Sequence, residues 1–134
     1  MGKVEHKKKF EKLGDVFKRL DKKIIFSKKI NSSYKVWIEA EEWSEGELNI
    51  HNDNTDVIVK FNNGDRWCAS FFTYNNIGKL VEKNKRSGEC LHGKYFWASD
   101  MILVDKISRE RILEVIDYLC KEGEFESVFK RLTE

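Results

Sequence analysis

A β-hairpin at residues 55–72 constrains the fold of this chain more than any other feature of its sequence. Apolar side chains take alternate positions in both arms of this segment: Val57, Val59, Phe61, Trp67, Ala69 and Phe71. Because successive side chains of a strand point to opposite faces, this odd-numbered set lies on one face. The run Asn62-Asn63-Gly64 between the arms has the residue types of a tight turn. The segment therefore predicts two antiparallel strands with a shared inward face.

The length of the connecting loop decides which residues pair across this hairpin. A two-residue loop at Asn63-Gly64 would place Val59 opposite Cys68, whereas a three-residue loop with a left-handed Gly64 places Val59 opposite Trp67. A shift of one residue moves every side chain to the other face, so the apolar match favours the longer loop. We expect a type I turn followed by a glycine bulge.

Length and composition indicate a single globular domain. The chain has 134 residues, of which 40% are hydrophobic and 13% aromatic, enough for one hydrophobic core. No apolar run approaches the roughly 20 residues that span a bilayer, and the N-terminal MGKVEHKKKF lacks the apolar segment of a secretion signal. We therefore expect a cytoplasmic protein with no membrane partner. Its three cysteines lack metal-type spacing, so we expect free thiols, no metal and no cofactor.

Apolar spacing and capping residues predict the remaining elements. Thr73 and Ser108 are N-cap candidates, and Gly88 and Gly123 suit left-handed helix ends. The predicted helices cover residues 5–22, 74–86, 108–121 and 125–133, and further strands are expected at 34–43 and 94–104. This order implies a single α+β domain over residues 1–134, with an antiparallel or mixed sheet of about five strands and helices packed on it.

An acidic segment between Lys35 and Lys60 is the strongest indication of a binding surface. It carries seven carboxylates and no lysine or arginine. On a strand at residues 34–43, Trp37 shares a face with glutamates, and an aromatic anchor rimmed by one sign of charge is typical of a protein-binding hot spot. The candidate partner-binding residues are Trp37, Glu39, Glu41, Glu42 and Trp43. The alternative is that Trp37 is covered by a helix and the carboxylates balance a basic first helix.

A second interpretation is a small enzyme or ligand-binding protein. Its pocket would be lined by His92, Tyr95, Trp97, Ser99 and Asp100. The nearby Cys90-Leu91-His92 lies in a glycine-flanked loop, as many catalytic residues do, but its spacing matches no zinc pattern. No phosphate-binding glycine loop, nucleophile elbow or metalloprotease helix occurs in the sequence, which favours a protein without catalytic activity.

A third interpretation is weak nucleic-acid binding through the basic helix predicted at residues 5–22. Its lysines could neutralise phosphates, but acidic residues interrupt them and no aromatic side chain lies on the polar face for base stacking. A dedicated nucleic-acid partner is therefore not expected. The basic run KNKRSG at residues 83–88 is explained by the favourable interaction of cations with a helix C-terminus.

Three stretches of the C-terminal half carry a resemblance to known proteins. FFTY at residues 71–74, GECL at 88–91 and KYFWASDMILV at 94–104 resemble a group of small uncharacterised bacterial proteins. No catalytic motif is carried over with this resemblance. In size and composition such proteins are similar to immunity proteins encoded beside toxins, which implies an inhibitor that occludes a basic partner protein. The identity of that partner and the oligomeric state stay open.

Overall fold

A mixed five-stranded sheet forms the centre of the part of the chain that the structure describes. The computed structural model describes residues 34–133, so the helix predicted at residues 5–22 lies outside the described residues. In chain order the strands are β1 (Tyr34–Ile38), β2 (Asn54–Phe61), β3 (Arg66–Thr73), β4 (Met101–Val104) and β5 (Lys130–Leu132). The first three are antiparallel neighbours, β4 joins β3 in parallel, and β5 joins β3 antiparallel. The predicted α+β class with about five strands is confirmed.

The hairpin of β2 and β3 has the predicted register. Val57 lies opposite Ala69 and Val59 opposite Trp67. The Phe61 amide donates to the Asp65 carbonyl at 2.9 Å, which leaves a loop of three residues, and Gly64 ends it with a φ of +93°. Neither asparagine of the loop has a positive φ, which excludes type I′ and type II turns. The three-residue loop with a left-handed glycine is confirmed.

Four helices and one 3-10 turn connect the strands. The 3-10 turn is Glu39–Glu42, and the helices are α1 (Tyr74–Ser87), α2 (Glu89–Gly93), α3 (Arg109–Lys121) and α4 (Phe125–Val128). The predicted caps are present: Thr73 Oγ1 accepts from the Asn76 amide and Ser108 Oγ accepts from the Arg111 amide, each at 3.2 Å. Gly88 ends α1 in the left-handed conformation, as expected.

The odd-numbered face of the hairpin carries the main core. Helices α3 and α4 supply its other side, and Ile112 and Ile116 of α3 are fully buried there. Burying each such side chain stabilises the fold by about 1.5–3 kcal/mol. Phe61 and Trp67 are half-buried and each meets the ring of Phe125 edge-on, with centroids 5.3 and 5.6 Å apart. The predicted inward face of the hairpin is confirmed.

The opposite face of the sheet is also buried. Ile58 and Cys68 pair across the hairpin on this face and expose only 1% and 4% of their surface. Trp37 pairs with Ile58 on the neighbouring strand and is buried as well. Both faces of the sheet are therefore buried, which explains why apolar residues also occupy even-numbered positions of the hairpin.

Two predictions near β3 are wrong, and both have the same cause. The final helix, expected at residues 125–133, ends at Val128, and the chain continues as β5 beside Arg66–Cys68 of β3. The strand expected at 94–104 begins only at Met101, which lies opposite Ser70. Residues before Met101 would have to pair with the part of β3 that β5 already occupies. Backbone pairing with a distant strand thus overrides the local apolar pattern.

Candidate functional site

The predicted partner-binding residues are divided between the interior and the surface. Trp37 and Glu39 are each only 7% exposed. Glu41 and Glu42 are exposed, and Trp43 is half-buried against the core. The exposed part of this set is therefore confined to the end of the 3-10 turn. Trp37 cannot act as an anchor for a partner unless the surrounding structure opens.

The 3-10 turn explains this division. The strand expected at residues 34–43 ends at Ile38, so that prediction is wrong beyond this residue. The Ala40 amide donates to Thr55 Oγ1 at 2.8 Å, and Glu39 Oε1 accepts from the Asp56 amide at 3.3 Å. These contacts turn the chain against β2. Glu39 and Glu41 were expected on one face of a strand, but they lie in the 3-10 turn and do not share a strand face.

The residues of the alternative pocket lie along the connection between α2 and β4. His92 is in α2 and is exposed, while Tyr95 and Trp97 expose 47% and 58% of their surface. Ser99 Oγ donates to Asp100 Oδ2 at 3.2 Å, and the Asp100 carbonyl accepts from the Ser70 amide at 3.0 Å. The interpretation of Tyr95 and Trp97 as parts of a buried strand is wrong, because this stretch is irregular and both side chains are exposed, while Phe96 between them packs edge-on against Phe72.

The glycine-flanked Cys90-Leu91-His92 forms a left-handed helical turn. All three residues have φ between 52° and 57° and ψ between 42° and 49°. This conformation costs roughly 1–2 kcal/mol for each residue that carries a Cβ. Gly93 follows with a φ of +78°, and a Cβ there would lie 2.8 Å from the Val81 carbonyl oxygen of α1. The close packing of Gly93 on α1 holds this turn in place.

A cleft lies between helix α1 and the segment at residues 43–53 that precedes β2. Its volume is about 700 Å³. The two segments are joined at its base, where Asn76 Nδ2 donates to Asn52 Oδ1 at 3.2 Å and the Thr73 amide donates to the Asp53 carbonyl at 3.0 Å. The cleft is lined by Trp43, Glu47, Asn49, Asn52, Asp53, Asn76, Lys79, Leu80, Lys83 and Arg86. No single stretch of sequence contains this site.

Helix α1 presents one stripe of side chains to the cleft. Asn76, Lys79, Lys83 and Arg86 follow one another at intervals of three, four and three residues, which places them on the same helical face. Lys85 lies off this stripe and pairs with Glu82 at 2.9 Å. The sequence interpretation assigned residues 83–88 only to the helix terminus. The periodic spacing of these cations places them on one helix face, but the same spacing is usual on a solvent-exposed face, so the sequence contained no specific signal for the cleft.

The carboxylates of the cleft are occupied by hydrogen bonds of their own segment. Asp53 Oδ1 accepts from the Asn54 amide at 2.9 Å, and Asp53 Oδ2 accepts from the Asn49 amide at 3.2 Å. Glu47 Oε1 accepts from the Ser44 amide at 2.6 Å. These bonds order the segment and leave both carboxylates charged. The cleft is therefore lined by charges of both signs, with Glu47 and Asp53 on one side and the cations of α1 on the other.

The buried Cys68 thiol is a weak acid and a poor nucleophile. Burial, followed by the negative charges of Asp100 and Asp56, raises the pKa of the Cys68 thiol to about 11. At neutral pH this thiol is protonated and unreactive.

Within residues 34–133, no group of three or more histidine, cysteine or carboxylate side chains could hold a metal ion. In the same range, no helix has the length and apolar character needed to cross a membrane.

No family model, curated protein or solved structure matches the chain.

Proposed function

We propose that this chain is a non-enzymatic protein-binding module that acts in the cytoplasm as an immunity-like inhibitor. It would dock on a basic surface of its partner protein and block that surface by occlusion. The resemblance to small bacterial proteins makes the product of a neighbouring gene the first partner to test.

The observation that carries this proposal is the exposed acidic run at residues 41–47. Four carboxylates of this run are exposed, Glu41, Glu42, Glu45 and Glu47, and one of them, Glu41, is paired with Arg109. No lysine or arginine interrupts the sequence between Lys35 and Lys60. A surface rich in carboxylates attracts a partner of opposite charge and raises its association rate at low ionic strength.

In this proposal Trp43, rather than Trp37, is the anchor for the partner. Trp37 is buried beside Ile58, whereas Trp43 is half-buried and lies in the middle of the acidic run. Trp43 also packs against the core, which limits its mobility. A rigid aromatic side chain loses little conformational entropy on binding and is a common hot-spot residue.

The test uses the protein encoded beside the gene for this chain. The two proteins are co-expressed to measure rescue of growth, and their affinity is measured by calorimetry at two salt concentrations. We expect rescue of growth and an affinity that falls as salt rises. The double variant Glu45→Lys/Glu47→Lys should weaken binding at least tenfold, because the exposed charge is reversed.

A matched double variant, Glu122→Lys/Glu124→Lys, reverses two exposed carboxylates that lie outside the acidic run. This control should bind as the unchanged protein does. Equal losses in both variants, or an affinity that is independent of salt, would show that the acidic run is not the docking surface.

A further inference from the structure

We infer that the outer edge of β4 pairs with the β4 of a second copy of this chain, which joins the two sheets into one across a two-fold axis. Three features of this edge support the pairing: its free backbone groups, the exposed apolar side chains beside it and the opposite charges at its two ends. The edge shares no residue with the acidic run at residues 41–47, so the two surfaces can be tested separately.

One side of β4 has no strand beside it in the described part of the chain, where β4 pairs only with β3. The Asp100 carbonyl accepts from the Ser70 amide at 3.0 Å, and Ser70 lies opposite Met101. Because the backbone groups of successive strand residues point to alternate sides, the amides and carbonyls of Met101 and Leu103 point away from β3. An exposed edge with such donors and acceptors is a template for pairing with another strand.

The edge strands β1 and β5 each have a cationic side chain beside the backbone, and β4 has none. β5 carries Lys130 and Arg131, and the Val36 carbonyl of β1 accepts from the Arg109 guanidinium at 3.4 Å. Charged side chains on an edge oppose pairing with another chain. The sequence of β4 is Met101-Ile102-Leu103-Val104, without a charged residue. Of these three strands, β4 is therefore the one whose edge is suited to association.

Apolar side chains are exposed beside this edge. Leu103 exposes 43% of its surface, and Tyr95 and Trp97, in the connection that leads into β4, are exposed as well. In an antiparallel pair of β4 strands the two-fold axis is perpendicular to the sheet, so the Leu103 side chains of both copies lie on the same face. A strand of four residues buries a small area, so we expect a reversible dimer rather than an obligate one.

The charges at the two ends of β4 favour a second copy as the occupant of this edge. Asp100 precedes the strand and Lys106 follows it. Among the described residues, neither the Asp100 carboxylate nor the Lys106 ammonium has an ion-pair partner within 4 Å, whereas Asp105 is held by Arg111. An antiparallel pair places the start of one strand beside the end of the other, so Asp100 of each copy lies close to Lys106 of the other copy. The edge is therefore complementary to itself.

Sedimentation velocity of the full chain over a wide range of protein concentration tests the inference. We expect a reversible equilibrium between monomer and dimer. Leu103→Lys should weaken the dimer at least tenfold, because it places like charges of the two copies together on the paired edge. Tyr118→Lys is the matched control, since Tyr118 is also an exposed apolar side chain but lies on α3. It should associate as the unchanged protein does.

Charge reversal at the strand ends gives a second test that does not depend on Leu103. Asp100→Lys and Lys106→Asp should each weaken self-association at least tenfold, because like charges then meet at both ends of the pair. An equimolar mixture of these two variants should associate again, since every contact between the copies then joins opposite charges. Circular dichroism verifies that each variant is folded.

Three results would each overturn the inference. The first is a protein that stays monomeric at every concentration. The second is an equal loss of association in Leu103→Lys and Tyr118→Lys. The third is a mixture of the two charge variants that associates no better than either variant alone.

Discussion

The Arg109 guanidinium holds the Glu41 carboxylate through two hydrogen bonds, across 68 residues of sequence. Arg109 Nε donates to Glu41 Oε2 at 2.8 Å, and the same guanidinium reaches the Val36 carbonyl at 3.4 Å. This pair ties the start of α3 to the 3-10 turn after β1. Glu41 is one of the predicted partner-binding residues, and its negative charge is already paired with Arg109, which weakens its attraction for a basic partner.

Removing the Glu41 carboxylate should destabilise the fold. In Glu41→Ala we expect the free energy of unfolding to fall by about 1 kcal/mol, because the half-buried Arg109 loses its two-point partner. Urea unfolding measures the change. Glu45→Ala is the control from the same acidic run. Glu45 is exposed, so its removal should leave the free energy of unfolding unchanged. Equal stability of the two variants would show that the Arg109 pair contributes nothing.

The buried position of Trp37 leads to a second prediction. Trp37→Ala should lower the free energy of unfolding by about 3–5 kcal/mol, as expected for a large side chain removed from an interior. Trp43→Ala should cost clearly less, since Trp43 is half-buried. Thermal unfolding measures the loss of stability in each variant, and Trp37→Ala should show the larger loss. A stable Trp37→Ala protein that has lost partner binding would restore Trp37 as the docking anchor.

The Thr73 hydroxyl connects the start of α1 to the segment that lines the cleft. Its Oγ1 accepts from the amides of both Asn76 and Asp53 at 3.2 Å. Thr73→Ala should cost about 1–2 kcal/mol through loss of the cap, and Thr73→Ser should recover most of this loss. Chemical unfolding compares the three proteins. If the serine variant were as unstable as the alanine variant, the methyl group rather than the hydroxyl would be important.

Replacing each of two left-handed glycines by alanine separates the energetic cost of backbone strain from that of a steric clash. Gly93 and Gly123 have φ values of +78° and +73°, but only at Gly93 would a Cβ meet the backbone of α1. Gly123→Ala should cost roughly 1 kcal/mol from strain, and Gly93→Ala roughly 1–3 kcal/mol more from the added clash. Similar unfolding midpoints for the two variants would contradict the close packing of Gly93 on α1.

The raised pKa of Cys68 predicts a loss of stability at alkaline pH. The folded protein holds the thiol proton more tightly than the unfolded chain, so this stabilisation is complete below pH 9 and is lost as pH rises through about 11. Unfolding measured between pH 9 and 11 should therefore show a falling free energy. The fall should be smaller in Cys68→Ala and unchanged in Cys90→Ala. Identical profiles in all three proteins would mean that Cys68 does not titrate in this range.

Local periodicity predicted the parts of the fold whose partners are close in sequence. The hairpin register followed from the apolar match between its arms and from Gly64, and helices α1 and α3 followed from their caps and apolar stripes. These features depend on contacts within about 20 residues, where the chain itself limits the possible pairings. The acidic run was also evident from sequence, because charge is a property of composition.

Contacts between distant segments decided the rest. The edge of β3 at Arg66–Cys68 accepts β5, which converts a predicted helix into a strand and shortens β4. The contacts of the 3-10 turn with β2 bury Glu39, and the packing of α1 against residues 43–53 brings Trp43 and the α1 cations to one cleft. The sequence by itself determined which residues are apolar, charged or suited to turns. Only the tertiary structure decided which of them meet, because that choice depends on backbone pairing and burial across the whole chain.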